Sequence, residues 1–235
     1  MSVGTFVLVH SPLTGADVWQ PVADALRAGG HRAVVPALTD TGSPPFWPQL
    51  VASAATALAD AEEVEPPVVY VPHSGAGPII ASIAAAVGRE VAGYVFVDAG
   101  LPERSTRLEA MEREDLPFAA ELRTHLAAGG RFPEWSDDDL AEVLPDPGAR
   151  RAVLAGLRHR GLDFFDEPLE VPADWPDAPC AYLQWGEPYA TAAAAAHARG
   201  WPVEVHAAGH FQMLVEPERV ARDILDLTRR SAGSV

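Results

Sequence analysis

The 235-residue sequence has no lysine. Its 17 basic residues are all arginines, set against 33 aspartates and glutamates, for a formal charge of −16. Such a surface repels phosphate backbones and anionic lipid, so neither nucleic acid nor a membrane is an expected partner. A single cysteine, Cys180, excludes an internal disulfide, and its setting, Ala178-Pro179-Cys180-Ala181-Tyr182-Leu183, reads as a buried strand rather than a reactive thiol. A reducing cytoplasm is the expected compartment. No apolar run reaches spanning length, and Met1 to His10 carries no basic leader, only the short run Phe6 to Val9, so neither a signal peptide nor a membrane span is expected there. There is no Gly-x-Gly-x-x-Gly and no phosphate loop, and no organic cofactor is implied.

What is present is 48% apolar residues, enough for one substantial core. Short β-rich runs alternate with Ala- and Leu-rich segments of helical period, the pattern of an α/β protein with a mostly parallel sheet covered on both faces. Strands are expected at Thr5 to Val9, Arg32 to Val35, Val68 to Val71, Val91 to Val97, Cys180 to Trp185 and Val203 to His206. Helices are expected at Asp17 to Ala28, Ala52 to Ala61, Pro78 to Val87, Thr191 to Arg199 and Pro217 to Thr228, with a frayed tail from Ser231. Residues 101–176 hold most of the charge and little strand signal. They read as a helical cap inserted between a first part of the core (1–100) and a second (177–235). Within it Ser136-Asp137-Asp138-Asp139 is a helix-capping box rather than a metal site.

The chemistry is expected at Val68-Val69-Tyr70-Val71-Pro72-His73-Ser74-Gly75-Ala76-Gly77-Pro78, where a buried strand runs into a helix through one serine among small residues. A sharp strand-to-helix turn strains the backbone at its apex, and residues two before and two after it must be compact. Pro72 and Ala76 meet that need, although the usual pattern has glycine at both places. The following helix turns its free N–H groups toward the hydroxyl, which makes the Gly75 N–H the first expected oxyanion donor. The plainer reading is that Ser74 only caps a helix.

These residues, together with Gly209-His210-Phe211 ahead of an apolar stretch and Glu216-Pro217, resemble the α/β-hydrolase superfamily from about Phe6 to Leu227. The resemblance implies a Ser, acid and His triad in that chain order, with Ser74 as nucleophile and His210 as general base. Two departures stand out. The superfamily's acid commonly lies in a Gly-Glu-x-Asp segment, which here reads Gly186-Glu187-Pro188-Tyr189, so Tyr189 occupies the carboxylate position. Some members place the acid after the strand before the cap, which favours Asp98 over Glu187. The oxyanion loop reads His10-Ser11-Pro12 where the superfamily has His-Gly-x. Pro12 has no N–H, leaving Leu13 as the alternative second donor.

His206 and His210, four apart, bracket a strand end and a glycine loop, so their side chains should diverge and no metal is expected. His10 and His73 are expected to hold loops, and His31, His125, His159 and His197 to be ordinary surface or cap residues. Leu13, Phe46, Trp47, Leu101, Phe164, Phe165 and Tyr189 are expected to border an apolar site, although Phe46 and Trp47 read equally well as loop packing. The reaction this favours is hydrolysis of a carboxylic ester or lactone of a small, largely apolar molecule by a monomer or homodimer. The alternatives are a non-hydrolytic acyl transferase, lyase or cyclase using the same groups, and a ligand-binding pseudoenzyme.

Overall fold

The structure, a computed structural model, describes residues 4–233. Six parallel strands form one sheet: β1 (Thr5–Val9), β2 (Arg32–Val34), β3 (Val68–Ser74), β4 (Val91–Ala99), β5 (Cys180–Gln184) and β6 (Val203–Val205), in the order β2-β1-β3-β4-β5-β6. β3 reads as a continuous apolar run because it is covered on both faces, and all seven of its residues are buried. Alternation along the strands splits the core. Val7, Val9, Tyr70, Tyr94, Phe96 and Tyr182 face one layer, and Phe6, Leu8, Val69, Val71, Val95, Val97 and Leu183 face the other.

Helices cover both layers. On the first lie α2 (Phe46–Asp60) and α3 (Ile80–Val87), which bury Leu50, Leu58, Ile80 and Ile83. On the second lies α1 (Gln20–Ala28), preceded by a 3-10 turn over Ala16–Trp19, with Trp19, Val22 and Leu26 buried. Each such side chain removed from water contributes roughly 1.5–3 kcal/mol. Five helices separate β4 from β5: α4 (Arg107–Glu114), α5 (Leu116–Ala127), α6 (Asp137–Leu140), α7 (Pro147–Gly156) and α8 (Leu162–Phe165). Among the described residues this segment adds no strand to the sheet. Ser136 and Asp139 form the capping box of α6. After β5 come α9 (Ala190–Ala198), α10 (Gln212–Val215) and α11 (Pro217–Ala232), the last laying Val220, Ile224 and Leu227 on the second layer.

Two expectations are corrected. α2 begins at Phe46 rather than Ala52, because the Glu167 carboxylate accepts the Phe46 and Trp47 N–H groups at 2.7 and 2.9 Å. A cap 120 residues away in sequence leaves no local signature. The C-terminal segment is helical through Ala232 and Ser231 is buried, its hydroxyl donating to the Thr228 carbonyl. The rest of the expected frayed tail, residues 234–235, lies outside the described residues, as do residues 1–3 of the N-terminal segment. No helix among the described residues is long and apolar enough to cross a membrane.

Candidate active site

β3 delivers Ser74 at the carboxyl edge of the sheet. Its backbone is in the left-handed region, φ 55°, and its pairing with β4 slips at this point: His73 lies opposite Val97 and Ser74 opposite Ala99. A non-glycine residue held there is strained, and only the packing around it keeps it so. That packing explains the small residues after Ser74. A Cβ on Gly77 would fall 1.8 Å from the Gly100 carbonyl oxygen, and one on Gly75 would lie 3.1 Å from Ser11 Oγ. The turn therefore closes only with glycine at 77. Gly75 rests against the loop that follows β1.

Asp98, near the end of β4, also has a positive φ, 42°, and is fully buried. Its carboxylate is held on both oxygens. Oδ2 accepts from His210 Nδ1 at 2.6 Å, and Oδ1 accepts from the Trp185 and Gly186 N–H groups at 3.0 and 3.2 Å. The sheet order puts β5 beside β4, so the strand end where the resemblance sought an acid supplies donors to an acid from its neighbour. Tyr182 steadies this corner: its hydroxyl donates to the Ala99 carbonyl at 2.6 Å and accepts the Ala99 N–H at 3.1 Å. Nothing in the sequence around Tyr182 marks it for that task. Glu187 is exposed, and no described hydrogen bond joins it to His210.

His73 and His10 both serve as struts. His73 Nε2 donates to the His210 carbonyl at 2.9 Å, tying the β3 end to the histidine loop, and its ring lies 4.4 Å from that of His210. Burial, with the neighbouring His210 adding to it, holds His73 well below the ordinary histidine range. His10 Nδ1 donates to the Ser11 carbonyl and its Nε2 accepts the Leu38 N–H, an arrangement that suits the neutral ring. Burial pushes His10 down to about 4.

These groups open onto a cavity of about 370 Å³ lined by Leu13, Met111, Phe118, Phe132, Trp135 and Phe211 together with Ser11, Ser74, Tyr189 and His210. Of the seven side chains expected at its border, only Leu13 and Tyr189 are there. Phe46, Trp47, Leu101, Phe164 and Phe165 are buried in the core instead, with Phe46 and Trp47 packed on the Phe164 ring at 5.4 and 4.5 Å. Three aromatic side chains of the wall, Phe118, Phe132 and Trp135, come from the segment between β4 and β5. They carry no turn or spacing signal that would have marked them.

Three charged residues, Arg107, Glu114 and Asp115, also line the cavity. Arg107, buried at the start of α4, donates from Nη2 to the Tyr189 hydroxyl at 3.0 Å. Glu114 ends the same helix. Burial raises its carboxyl, against the opposing Ala192 N–H and the Arg107 charge. The Ser74 hydroxyl pairs with the Tyr189 hydroxyl at 3.0 Å, and among the described residues no hydrogen bond joins it to His210. Tyr189 stacks over the His210 ring, 5.6 Å between centroids and 17° between planes. Pro12 is buried, and the Leu13 N–H is directed at Ser11 Oγ at 3.3 Å.

His206 does diverge from His210. Its Nε2 lies 3.1 Å from Glu204 and 3.2 Å from Asp223, a trio with the spacing to hold a cation. Arg219 donates to its Nδ1 at 3.0 Å, however, which leaves the neutral ring's proton on Nε2, the atom beside the carboxylates. A metal on Nε2 would require Nδ1 to carry the proton and face that arginine. Cys180 is buried, which pushes its thiol up to about 12.

A model of the Alpha/beta hydrolase family matches residues 6–223. The chain is 31% identical to the carbendazim hydrolyzing esterase of Nocardioides sp. (strain SG-4G), over 96% of this chain and all of that protein. Among solved structures, an extracellular alpha/beta-hydrolase from a Paenibacillus species superposes with a TM-score of 0.77 at 17% identity, covering 95% of this chain and 98% of that one. A pyrethroid hydrolase from Sphingobium faniae JZ-2 gives 0.71 at 19% identity, covering 99% and 100%. At those identities the structural likeness speaks to the fold alone.

Proposed function

The chain belongs to the alpha/beta hydrolase family, and we propose that within it this protein is a serine hydrolase that cleaves a carboxylic ester or lactone of a small, largely apolar molecule through an acyl-enzyme on Ser74. The observation that carries this reading is that Ser74, at a strained strand-to-helix apex, opens onto the same cavity as an imidazole whose Nδ1 is held by a buried carboxylate at 2.6 Å. With Nδ1–H engaged by Asp98, the His210 Nε2 lone pair is free to take a proton. In this reading Ser74 Oγ attacks the carbonyl carbon while His210 accepts its proton. Gly75 N–H stabilises the oxyanion, and water later releases the acid by the same proton route. Pro12 offers no N–H, and Ser11, whose hydroxyl lies beside Gly75, is the polar group available on that side.

A cavity of this size with aromatic walls suits an aryl or alkyl ester of a few carbons. Hydrolysis as the reaction class agrees with the 31% identical relative named as an esterase that hydrolyses carbendazim. The test is labelling with a fluorophosphonate and assay on 4-nitrophenyl butyrate. Wild type should be labelled on Ser74 and turn over, while Ser74→Ala should do neither; an unlabelled, inactive wild type would sink the proposal.

One observation favours a second reading. The Ser74 hydroxyl is engaged by Tyr189 rather than by the imidazole, as it would be if it only hydrogen-bonded a ligand or steered a transfer or elimination. Turnover in oxygen-18 water separates these readings, because hydrolysis at the acyl carbon puts the label into the acid whereas transfer and elimination do not.

A further inference from the structure

We propose that Tyr189, its phenolic oxygen held by Arg107, is a catalytic hydrogen-bond donor to the departing oxygen of the substrate, and that Arg107 is its positioning residue. This rests on acylation of Ser74 as proposed above. A guanidinium only donates, so at 3.0 Å from Arg107 Nη2 the phenolic oxygen is the acceptor and its own proton is left for another partner. The neighbour within reach is Ser74 Oγ, also at 3.0 Å. Both Tyr189 and Arg107 are buried at 6% exposure, so water does not compete freely for that proton.

The sheet order decides which part of the substrate the phenol meets. β1 lies on one side of β3, and its following loop brings Ser11 against Gly75. The carbonyl oxygen of an attacked ester points to that side, toward the Gly75 N–H. β4 and β5 lie on the other side of β3, and from their ends come Arg107 and Tyr189, the latter stacked on His210. The leaving oxygen faces the imidazole that must protonate it, and therefore also faces the phenol.

The electron and proton balance is then complete. A bond forms between Ser74 Oγ and the carbonyl carbon, the carbonyl pair moves onto oxygen, and the Ser74 proton passes to His210 Nε2. Once Oγ is acylated it is a poor acceptor, and the Tyr189 proton needs another. As the intermediate collapses, the carbon–oxygen bond to the alcohol breaks and the imidazolium returns its proton to the departing oxygen. Tyr189 keeps its own proton and donates a hydrogen bond to that same oxygen as its charge develops.

The test compares leaving groups on one acyl chain. A nitrophenolate disperses its charge and departs with little help, whereas an alkoxide does not. In Tyr189→Phe, kcat/KM for methyl butyrate should fall about 10- to 100-fold while that for 4-nitrophenyl butyrate stays within about threefold. Arg107→Met should reproduce this leaving-group selectivity, and the double variant should be no worse than Tyr189→Phe alone. Arg107→Lys, which keeps a donor, should recover part of the methyl ester rate. Equal losses on both esters, or no loss on the methyl ester in Tyr189→Phe, a variant that keeps the ring and its stacking, would overturn the inference. Failure of the underlying reading looks different: Ser74→Ala would then retain turnover of the nitrophenyl ester.

Discussion

At the scale of single residues, the site holds its strained, buried acid by giving it a full set of partners. Asp98 has a positive φ and no solvent exposure, yet both carboxylate oxygens are hydrogen-bonded. In Asp98→Asn the amide oxygen can still accept from Trp185 and Gly186, which turns the amide NH₂ toward His210. A donor facing Nδ1 forces the ring proton onto Nε2, the wrong tautomer for a base. We therefore expect kcat on a nitrophenyl ester to drop about 10³- to 10⁴-fold, with thermal unfolding little changed. A loss under about tenfold would show that another group orients the imidazole. Ser74 and His210 stood out in the sequence because strand, turn and loop spacing are local signals, whereas the meeting of Asp98 rather than Glu187 with His210 depends on strand order. The Arg107–Tyr189 pair did not stand out, because its partners lie 82 residues apart and meet only when α4 folds over the sheet edge.

At the scale of elements, the segment between β4 and β5 is joined to the rest of the chain by specific contacts rather than by apolar packing alone. Glu167 caps α2 through two backbone N–H groups, and its carbonyl accepts the Trp47 indole N–H at 3.2 Å. Arg160 forms a bidentate pair with Asp40, at 3.0 and 2.5 Å, and lies over the Phe46 and Phe164 rings. Glu167→Ala should cost about 1–2 kcal/mol in urea denaturation, the range for losing an N-cap, while Glu167→Gln should retain part of it. An unchanged midpoint for Glu167→Ala would mean that water replaces the carboxylate at no cost. The correction at the start of α2 has the same origin: Pro44, Pro45 and the aromatic pair read locally as a loop, and only a distant carboxylate makes a helix start there.

At the scale of the molecule, two buried neutral histidines shape the acid limb of stability. His10 is pushed down to about 4 and His73 lower than its ordinary value. As pH falls below 6.5 the unfolded chain takes up a proton at each position while the folded chain does not, so stability declines from pH 6.5 toward 4. Above 6.5 these rings contribute no slope. The loss is roughly 1.4 kcal/mol per pH unit for each ring within that window. Glu114 and Asp223, whose carboxyls are raised, work in the opposite sense and reduce the slope. Asp40, which burial pushes up but the Arg160 guanidinium and the Gly42 N–H together bring down on balance, loses its contribution only below its ordinary 3.8. Urea midpoints should be level from pH 8 to 6.5 and fall from 6.5 to 4.5; a level profile across the whole range would mean that the rings are already charged or reach solvent.

The sequence by itself determined the layered architecture and the serine turn, because apolar periodicity and the steric needs of a tight bend act over a few neighbouring residues. It also determined that the exterior is acidic. Only the tertiary structure decided which side chains line the cavity, which carboxylate meets His210, and what engages the Ser74 hydroxyl at rest. Those outcomes depend on strand order and on how a long helical segment folds back, and the distances that set them join residues about 80 to 120 positions apart.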